Sequence, residues 1–349
     1  MAYNIAVDAM GGDNAPHEII KGTVMALREN DELNVILIGD EEQIKAELDK
    51  EGFDKEVPII HTDEWIGMDE SPKQALSEKK NASIVLASQL LKSGEADALV
   101  SAGNTGATVL AAAQNIPIIE GIERTALAAI YPTAKFDPDS RGVALMLDVG
   151  ATLRCTSKQL VHFAYMGSYY VSHVLGFENP RVALLNNGEE ANKGGEILVK
   201  TYQELKEAEE INFTGNVEGK DILKGVADVI VTEGFVGNVV LKLIEGAADV
   251  LRATGRYAFK KKFTWKLGLA LLSSGVKRFK SKTDYSEYGG APLLGFQKLA
   301  IKAHGRSNAK AIYNAIKVAQ RSIEVKVCDH IFESIQNFNA KHRIDFIDI

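Results

Sequence analysis

Cysteine is nearly absent: Cys155 and Cys328 are the only two across 349 residues, far apart and in no Cys-x-x-Cys spacing. That pattern suggests neither a disulfide framework nor a zinc site. Cys155 follows Asp148-Val149-Gly150, so it reads either as a thiol nucleophile or as an idle buried thiol, and no nearby histidine supplies a base. Asp8, Asp13 and Asp148 could gather around a cation, but no histidine or cysteine spacing accompanies them, and carboxylates at strand ends more often hold loop amides. A metal is therefore not expected. Long apolar runs are missing too, none approaching the ~20 residues of a membrane span, and Met1-Ala2-Tyr3-Asn4 is not a basic region leading into an apolar one. The expected location is the cytoplasm. No Pro- or Ser-rich linker, long-period repeat or low-complexity tract divides the chain, which reads as a single catalytic unit over 1–349 in one or two lobes, ending in a tail over 325–349.

What is present is alternation. Apolar residues make up 46% of the chain and alternate between strand-like runs and amphipathic helical ones, which predicts an α/β fold with a doubly wound, mostly parallel sheet. The first strand, Asn4 to Val7, runs into Asp8-Ala9-Met10-Gly11-Gly12-Asp13-Asn14-Ala15-Pro16, with Pro16 suited to the first position of a helix reaching about Asn30. Alone, such a glycine pair also fits an ordinary βα turn. The arrangement recurs, however. Asp97 to Ser101 leads into Gly103-Asn104-Thr105-Gly106 and a helix from Ala107 to Gln114, and Val143 to Leu147 leads into Asp148-Val149-Gly150. Val182 to Leu185 leads into 186–195 with Lys193-Gly194-Gly195, and Asp228 to Thr232 into Glu233-Gly234-Phe235-Val236-Gly237-Asn238 before a helix starting near Val239. In open α/β sheets, ligands sit outside the carboxyl ends of parallel strands, where loop amides and helix N-termini favour anions. One anion-binding crevice built from five strand ends is the inference.

Acidic residues are missing from one stretch. Between Val250 and Thr283 stand ten basic residues, including Lys260, Lys261, Lys262 and Lys266, and no Asp or Glu, although the whole chain carries −7. Phe259, Phe263, Leu267, Ala270 and Leu271 fall there at helical spacing, so 250–283 reads as a protruding basic amphipathic helix, one arm of a hairpin. A packed helix with a solvated basic face is the plain alternative. An acidic protein partner and an anionic lipid surface are the two functional readings, with Lys260, Lys261, Lys262, Leu267 and Leu271 as contacts. Nucleic acid is not expected, because the remainder of the chain is acidic and leucines stand where polar contacts would be needed.

Several of these segments together carry a family resemblance. Val7-Asp8-Ala9-Met10-Gly11-Gly12-Asp13 with Ala15-Pro16, Ser101-Ala102-Gly103-Asn104-Thr105-Gly106-Ala107, Leu147-Asp148-Val149-Gly150-Ala151, Gly234-Phe235-Val236-Gly237-Asn238-Val239 and Ala303-His304-Gly305 resemble, in order over 4–320, the bacterial phosphate acyltransferase family. The resemblance implies an enzyme of phospholipid synthesis that moves a fatty acyl group from acyl carrier protein to inorganic phosphate, giving acyl phosphate. It further implies a homodimer, a sheet of the isopropylmalate dehydrogenase and phosphotransacetylase type, and peripheral membrane attachment through the hairpin. By similarity, Lys193 would hold the phosphate or the developing negative charge and Asn238 would donate to the carbonyl oxygen. Without it they read as a surface lysine and a helix N-cap. His304 could protonate the departing thiolate, or be structural. Asp8, Gly11, Gly12, Asp13, Asn104, Gly106, Asp148 and Gly234 are the remaining crevice residues. The sequence departs from the family pattern at Thr152, Arg154, Asn187, Glu233 and Arg306. Three rival readings stand beside it: a nicotinamide dehydrogenase, against which the missing Gly-x-Gly-x-x-Gly argues, a non-catalytic membrane scaffold, and a short-chain phosphate acetyltransferase using coenzyme A.

Overall fold

In a computed structural model the described residues are 3–134, 141–261 and 289–342. Strand β1 (Tyr3–Asp8) opens an 11-stranded sheet and is followed by α1 (His17–Glu29), β2 (Leu33–Gly39), α2 (Glu41–Lys50) and β3 (Ile59–His61). Then come α3 (Pro72–Glu78), α4 (Ser83–Ser93), β4 (Ala98–Ser101), α5 (Thr105–Asn115), β5 (Ala126–Pro132) and β6 (Val143–Leu147). After α6 (Ser157–His173), β7 (Val182–Leu185), α7 (Glu196–Glu207), β8 (Phe213–Val217) and β9 (Val229–Val231) follows the long α8 (Gly234–Lys261). Strands β10 (Ala291–Leu294) and β11 (Leu299–Lys302) and helices α9 (Ala309–Glu324) and α10 (Val327–His342) complete the described chain.

The central strands are apolar along their interior, with polar residues at their ends, because helices cover both faces of the sheet. Along β1, Ile5 and Val7 belong to one buried cluster and Ala6 to the other. The helix expected beyond Glu324 is α10. It lies in the core against α6, with Val327, Ile331, Ile335 and Phe338 buried.

The strand order is β3-β2-β1-β4-β11-β10-β5-β6-β9-β7-β8. All pairings are parallel except β11 with β10, β10 with β5, and β5 with β6. Three successive reversals leave β6, β9, β7 and β8 running opposite to β1, β4 and β11. The five expected strand ends are all present, but they do not share one edge: Asp8 and Ser101 end at one, Leu147, Leu185 and Val231 at the other. The register offsets the two halves. Ala128 of β5 pairs with Leu147, at the end of β6, while Leu127 pairs with Leu293, which lies opposite Ala300 in the interior of β11. The loop after β6 therefore turns back towards the middle of the sheet, and the two sets of loops converge through a helix instead of along an edge.

That helix, α8, starts at Gly234, five residues earlier than the sequence reading placed it. Gly234 and Gly237 read as turn residues, yet both belong to its first turn, where they let the helix press onto the loop after β6. A side chain at Gly234 would come within 2.7 Å of both Asp148 Oδ2 and the Thr152 carbonyl. The basic stretch begins within α8, which extends to Lys261 and carries Lys260 in its last turn. The side chains of Lys260 and Lys261, and Lys262, Leu267 and Leu271 altogether, lie outside the described residues. Among the described residues, no helix is long and apolar enough to cross a membrane.

Candidate active site

The loop after β6 is organised by one carboxylate. Asp148 is fully buried; its Oδ1 accepts from the amides of Leu127 (2.8 Å), Gly150 (3.0 Å) and Ala151 (3.0 Å), and its Oδ2 from that of Thr152 (2.5 Å). Burial pushes its carboxyl above the usual range, against the pull of those amides. With its acceptor positions occupied by the backbone, Asp148 fixes the turn and does not line the crevice, which corrects its assignment as a substrate contact. The Thr152 departure is accommodated, since Thr152 takes part through its amide. Asp148→Asn would set an amide NH2 against the backbone donors. We expect a loss of about 2 kcal/mol in unfolding free energy, measurable by urea titration.

The turn so fixed is the seat of Asn238. Gly150 has a φ of +138°, and Asn238 Nδ2 donates to the Val149 carbonyl at 2.9 Å. Asn238 is therefore no N-cap: it stands one turn inside α8, exposed, with its amide oriented by the loop Asp148 holds. Gly234 donates its amide to the Thr152 carbonyl at 2.9 Å, clamping the other side of the same turn. Lys193 follows β7, the strand beside β9, so Lys193 and Asn238 emerge from neighbouring strands at one edge. The Lys193 side chain is exposed, while its carbonyl accepts from Asn186 Nδ2 at 3.1 Å. Cys155 is buried, and burial pushes its thiol up to about 12, which removes the nucleophile reading.

The other half supplies a second set. Asp8 is buried, accepting from Ser83 Oγ and Ser101 Oγ, each at 2.6 Å. Like Asp148 it supports loops from below, so it too is corrected as a lining residue. Burial raises its carboxyl above the ordinary range, with the two hydroxyls and Lys302 opposing. Gly11 lies on this carboxylate: a Cβ there would overlap Asp8 Oδ2 and come 2.8 Å from the Gly103 amide nitrogen. Gly12, at φ +116°, turns the chain so that the Asp13 amide can donate to the Gly305 carbonyl at 2.8 Å. Asp13 itself is exposed.

Two more of these residues make contacts within the fold. Asn104 caps α5, its Oδ1 accepting from the Ala107 amide at 3.1 Å, while its Nδ2 donates to the carbonyls of Met68 (2.9 Å) and Glu70 (3.1 Å). Gly106 makes room for Pro72, whose Cγ would lie 2.6 Å from an added Cβ. Asn104 and Gly106 hold the 67–72 segment.

Helix α8 brings the halves together. One turn beyond Asn238 stands Lys242, paired with Glu245 at 2.8 Å, and both charges act on half-buried His304, which follows β11. Desolvation holds the His304 imidazole below its usual range, leaving it neutral near pH 7, and its Nδ1 accepts from the Arg306 amide at 3.2 Å, which puts the ring proton on Nε2. The sequence reading missed Ser83, Ser101 and Lys302, the residues that complete the ground around Asp8. Only strand register could have revealed Ser101 and Lys302: Asp8 pairs with Ser101, and Lys302 pairs with Ser101. The three carboxylates weighed as a cation site are not gathered. The cluster with ligand-like spacing among the described residues is Glu189, Glu218 and Asp221, where Lys220 already bridges Glu189 and Glu218.

Comparison with known proteins places this arrangement. A family model described as "Fatty acid synthesis protein" matches residues 3–330. The chain is 46% identical over 337 residues to a phosphate acyltransferase of Pelotomaculum thermopropionicum, covering 97% of this chain and 96% of the relative. It is likewise 46% identical over 332 residues to a phosphate acyltransferase of Bacillus licheniformis, covering 95% and 98%. Among solved structures, a phosphotransacetylase from Streptococcus pyogenes superposes with a TM-score of 0.64 at 18% identity, over 92% of this chain and 94% of the other. A branched-chain phosphotransacylase from Enterococcus faecalis superposes with a TM-score of 0.55 at 15% identity, over 92% and 99%. These two likenesses establish the α/β fold type.

Proposed function

The chain belongs to the phosphate acyltransferase family of enzymes, and from that premise we propose that it moves a long-chain fatty acyl group from acyl carrier protein to inorganic phosphate for phospholipid synthesis. The observation that carries the reading is the seat of Asn238, an exposed amide held by the Val149 carbonyl over a turn whose three amides, with that of Leu127 on β5, converge on Asp148. Phosphate is already a competent oxygen nucleophile and a thioester has a good leaving group, so the site needs donors and cations in place more than a nucleophilic side chain.

In this reading a hydrogenphosphate oxygen bonds to the thioester carbonyl carbon, and Asn238 Nδ2 with Lys193 Nζ stabilises the oxyanion that forms. On collapse the carbon–sulfur bond breaks, giving acyl phosphate and a thiolate. The proton that phosphate loses ends on sulfur. Neutral His304, with its proton on Nε2, donates a hydrogen bond to the departing thiolate and is not itself consumed. Gly11, Gly12 and Asp13 border the phosphate side of the crevice.

The test is to incubate the protein with palmitoyl acyl carrier protein and orthophosphate and look for an acid-labile, hydroxylamine-sensitive product, with acetyl coenzyme A as the parallel donor. Product from the coenzyme A thioester alone would replace this reading with the short-chain one.

The surface of α8 supports two further parts of the proposal. Phe235, Val239, Leu243, Val250, Leu251 and Tyr257 stand between 54% and 70% exposed along it, more apolar surface than an isolated helix leaves in water. We assign the first half of this stripe to a second copy of the chain in a homodimer, and the basic segment beyond Val250 to an anionic membrane surface holding the protein peripherally. Replacing Leu267 and Leu271 together with Glu is expected to abolish sedimentation with anionic liposomes and leave activity on soluble substrate within about twofold of normal. Persistent lipid binding with a selective loss of acyl carrier protein activity would make the segment a docking site for the carrier instead.

A further inference from the structure

Lys302 is a lysine where lysines are rarely found. It is the last residue of β11, only 5% exposed, and its ammonium donates to the carbonyl of its own neighbour Ala303. Among the described residues no carboxylate lies within ion-pairing distance of it; the negative charges that act on it, Asp8 and Asp13, do so from farther away. The register explains why. Asp8, Ser101 and Lys302 end three adjacent parallel strands in one transverse row. Asp8 and Lys302 flank Ser101, with their Cα atoms about 10 Å apart. The Asp8 carboxylate is turned to Ser83 and Ser101, so it does not neutralise the lysine. A buried cation without a close counter-ion is costly, and proteins keep one where a ligand completes the pair.

The loops above the row have the form of an anion seat. Gly11 packs against Gly103, Gly12 turns at positive φ, and Asp13 is tied through its amide to Gly305, in the loop that follows Lys302. Lys242 of α8 adds a second positive charge near Lys302.

We propose that Lys302 is the anchor for inorganic phosphate, holding the nucleophile on the β1, β4 and β11 side while Lys193 and Asn238, on the other half, serve the thioester carbonyl. This rests on the reading that the chain transfers an acyl group to phosphate, and it divides that site into two. Two reactants approaching each other from opposing halves of the sheet, under α8, would meet near Asn238. Burial and Lys242 lower the Lys302 ammonium to about 8, against the pull of Asp8 and Asp13, so its charge is lost within an accessible pH range. Phosphate is already mostly the dianion by then, and its further ionisation adds negative charge, so a weakening of binding above that pH reports the lysine.

The experiment uses the full chain, unaltered and as Lys302→Met. The KM for orthophosphate is measured at fixed acyl carrier protein thioester, and thermal unfolding is followed with phosphate and with chloride at equal ionic strength. We expect the variant to raise the phosphate KM about 10- to 100-fold, the cost of one charge-assisted contact, with kcat at saturating phosphate and the KM for the acyl donor nearly unchanged. In chloride its Tm should equal or exceed that of the unaltered protein, since a costly buried charge has gone, and the rise in Tm on adding phosphate should vanish. For the unaltered protein, the phosphate KM should climb as pH passes about 8. A phosphate KM that does not move in the variant, or a Tm that falls in chloride with both KM values rising, would make Lys302 a structural partner of Asp8 and end the proposal. Should the variant not fold, a phosphate KM that stays flat above pH 8 in the unaltered protein ends it equally. Failure of the acyltransfer reading looks different: the unaltered protein would then form no acyl phosphate from any donor, whatever its affinity for phosphate.

Discussion

Asn238→Ala should lower kcat about 10²- to 10³-fold, the loss seen when one preorganised oxyanion donor is removed, and leave the fold in place. The structure says why the amide is worth that much. One N–H is engaged by the Val149 carbonyl at 2.9 Å, so the side chain does not have to find its orientation when the charge develops. Stability should change little, because the residue is exposed and gives up a single hydrogen bond worth about 1 kcal/mol. Asn238→Asp should be worse than Ala, since a carboxylate cannot donate and would face both the Val149 carbonyl and the nascent oxyanion. Single-turnover formation of acyl phosphate is the measurement, with Tm as the control for folding. A near-normal rate in the Ala variant would remove Asn238 from the chemistry.

Gly237→Ala should be more disruptive although it adds one methyl group at a position that touches no substrate. The new Cβ would overlap the Asp148 carbonyl oxygen and lie 2.9 Å from Thr232 Cγ2, so α8 must lift off the loop after β6 by about 1 Å to restore ordinary contact. Overpacking of this kind costs about 1–3 kcal/mol, and here the obstacle is backbone, which gives least. Activity should suffer further, because Asn238 is the next residue and a displacement of about 1 Å costs on the order of 10²-fold. Gly246→Ala is the internal control. It is the same change in the same helix at a position with nothing within 4 Å, so it should raise stability, by up to about 1 kcal/mol, through helix propensity. A Gly237→Ala protein with normal Tm and rate would show that α8 does not depend on this contact.

The strands and most helices were legible because their signals are local. Alternation into a glycine turn marked β1, β4, β6, β7 and β9, and the Ala-rich run from Ala107 to Gln114 marked α5, since a pattern of burial acts within a few residues. The start of α8 is hidden for the opposite reason. Gly234 and Gly237 look like turn residues in sequence, and only their contact with the Asp148 loop shows that they admit a helix. The segments matching the family marked the right loops but not the roles within them. Asp8, Asp148 and Asn104 carry polar atoms that sequence assigns to a ligand and that the fold engages with serines, backbone N–H groups and backbone carbonyls respectively.

What the sequence determined alone is the kind of molecule: an α/β chain of the phosphate acyltransferase family, without a helix for spanning a membrane among its described residues, and with glycine loops after its strands. What only the tertiary structure decided is how those loops meet. Three antiparallel pairings in the middle of the sheet reverse its second half, and α8 spans the two, carrying Asn238 at one set of loops and Lys242 towards the other. Strand direction, register and the path of a helix across a sheet arise from contacts between residues far apart in the chain. A buried lysine three strands from its own kind of sequence signal, like Lys302 beside Ser101, becomes visible only once those contacts are formed.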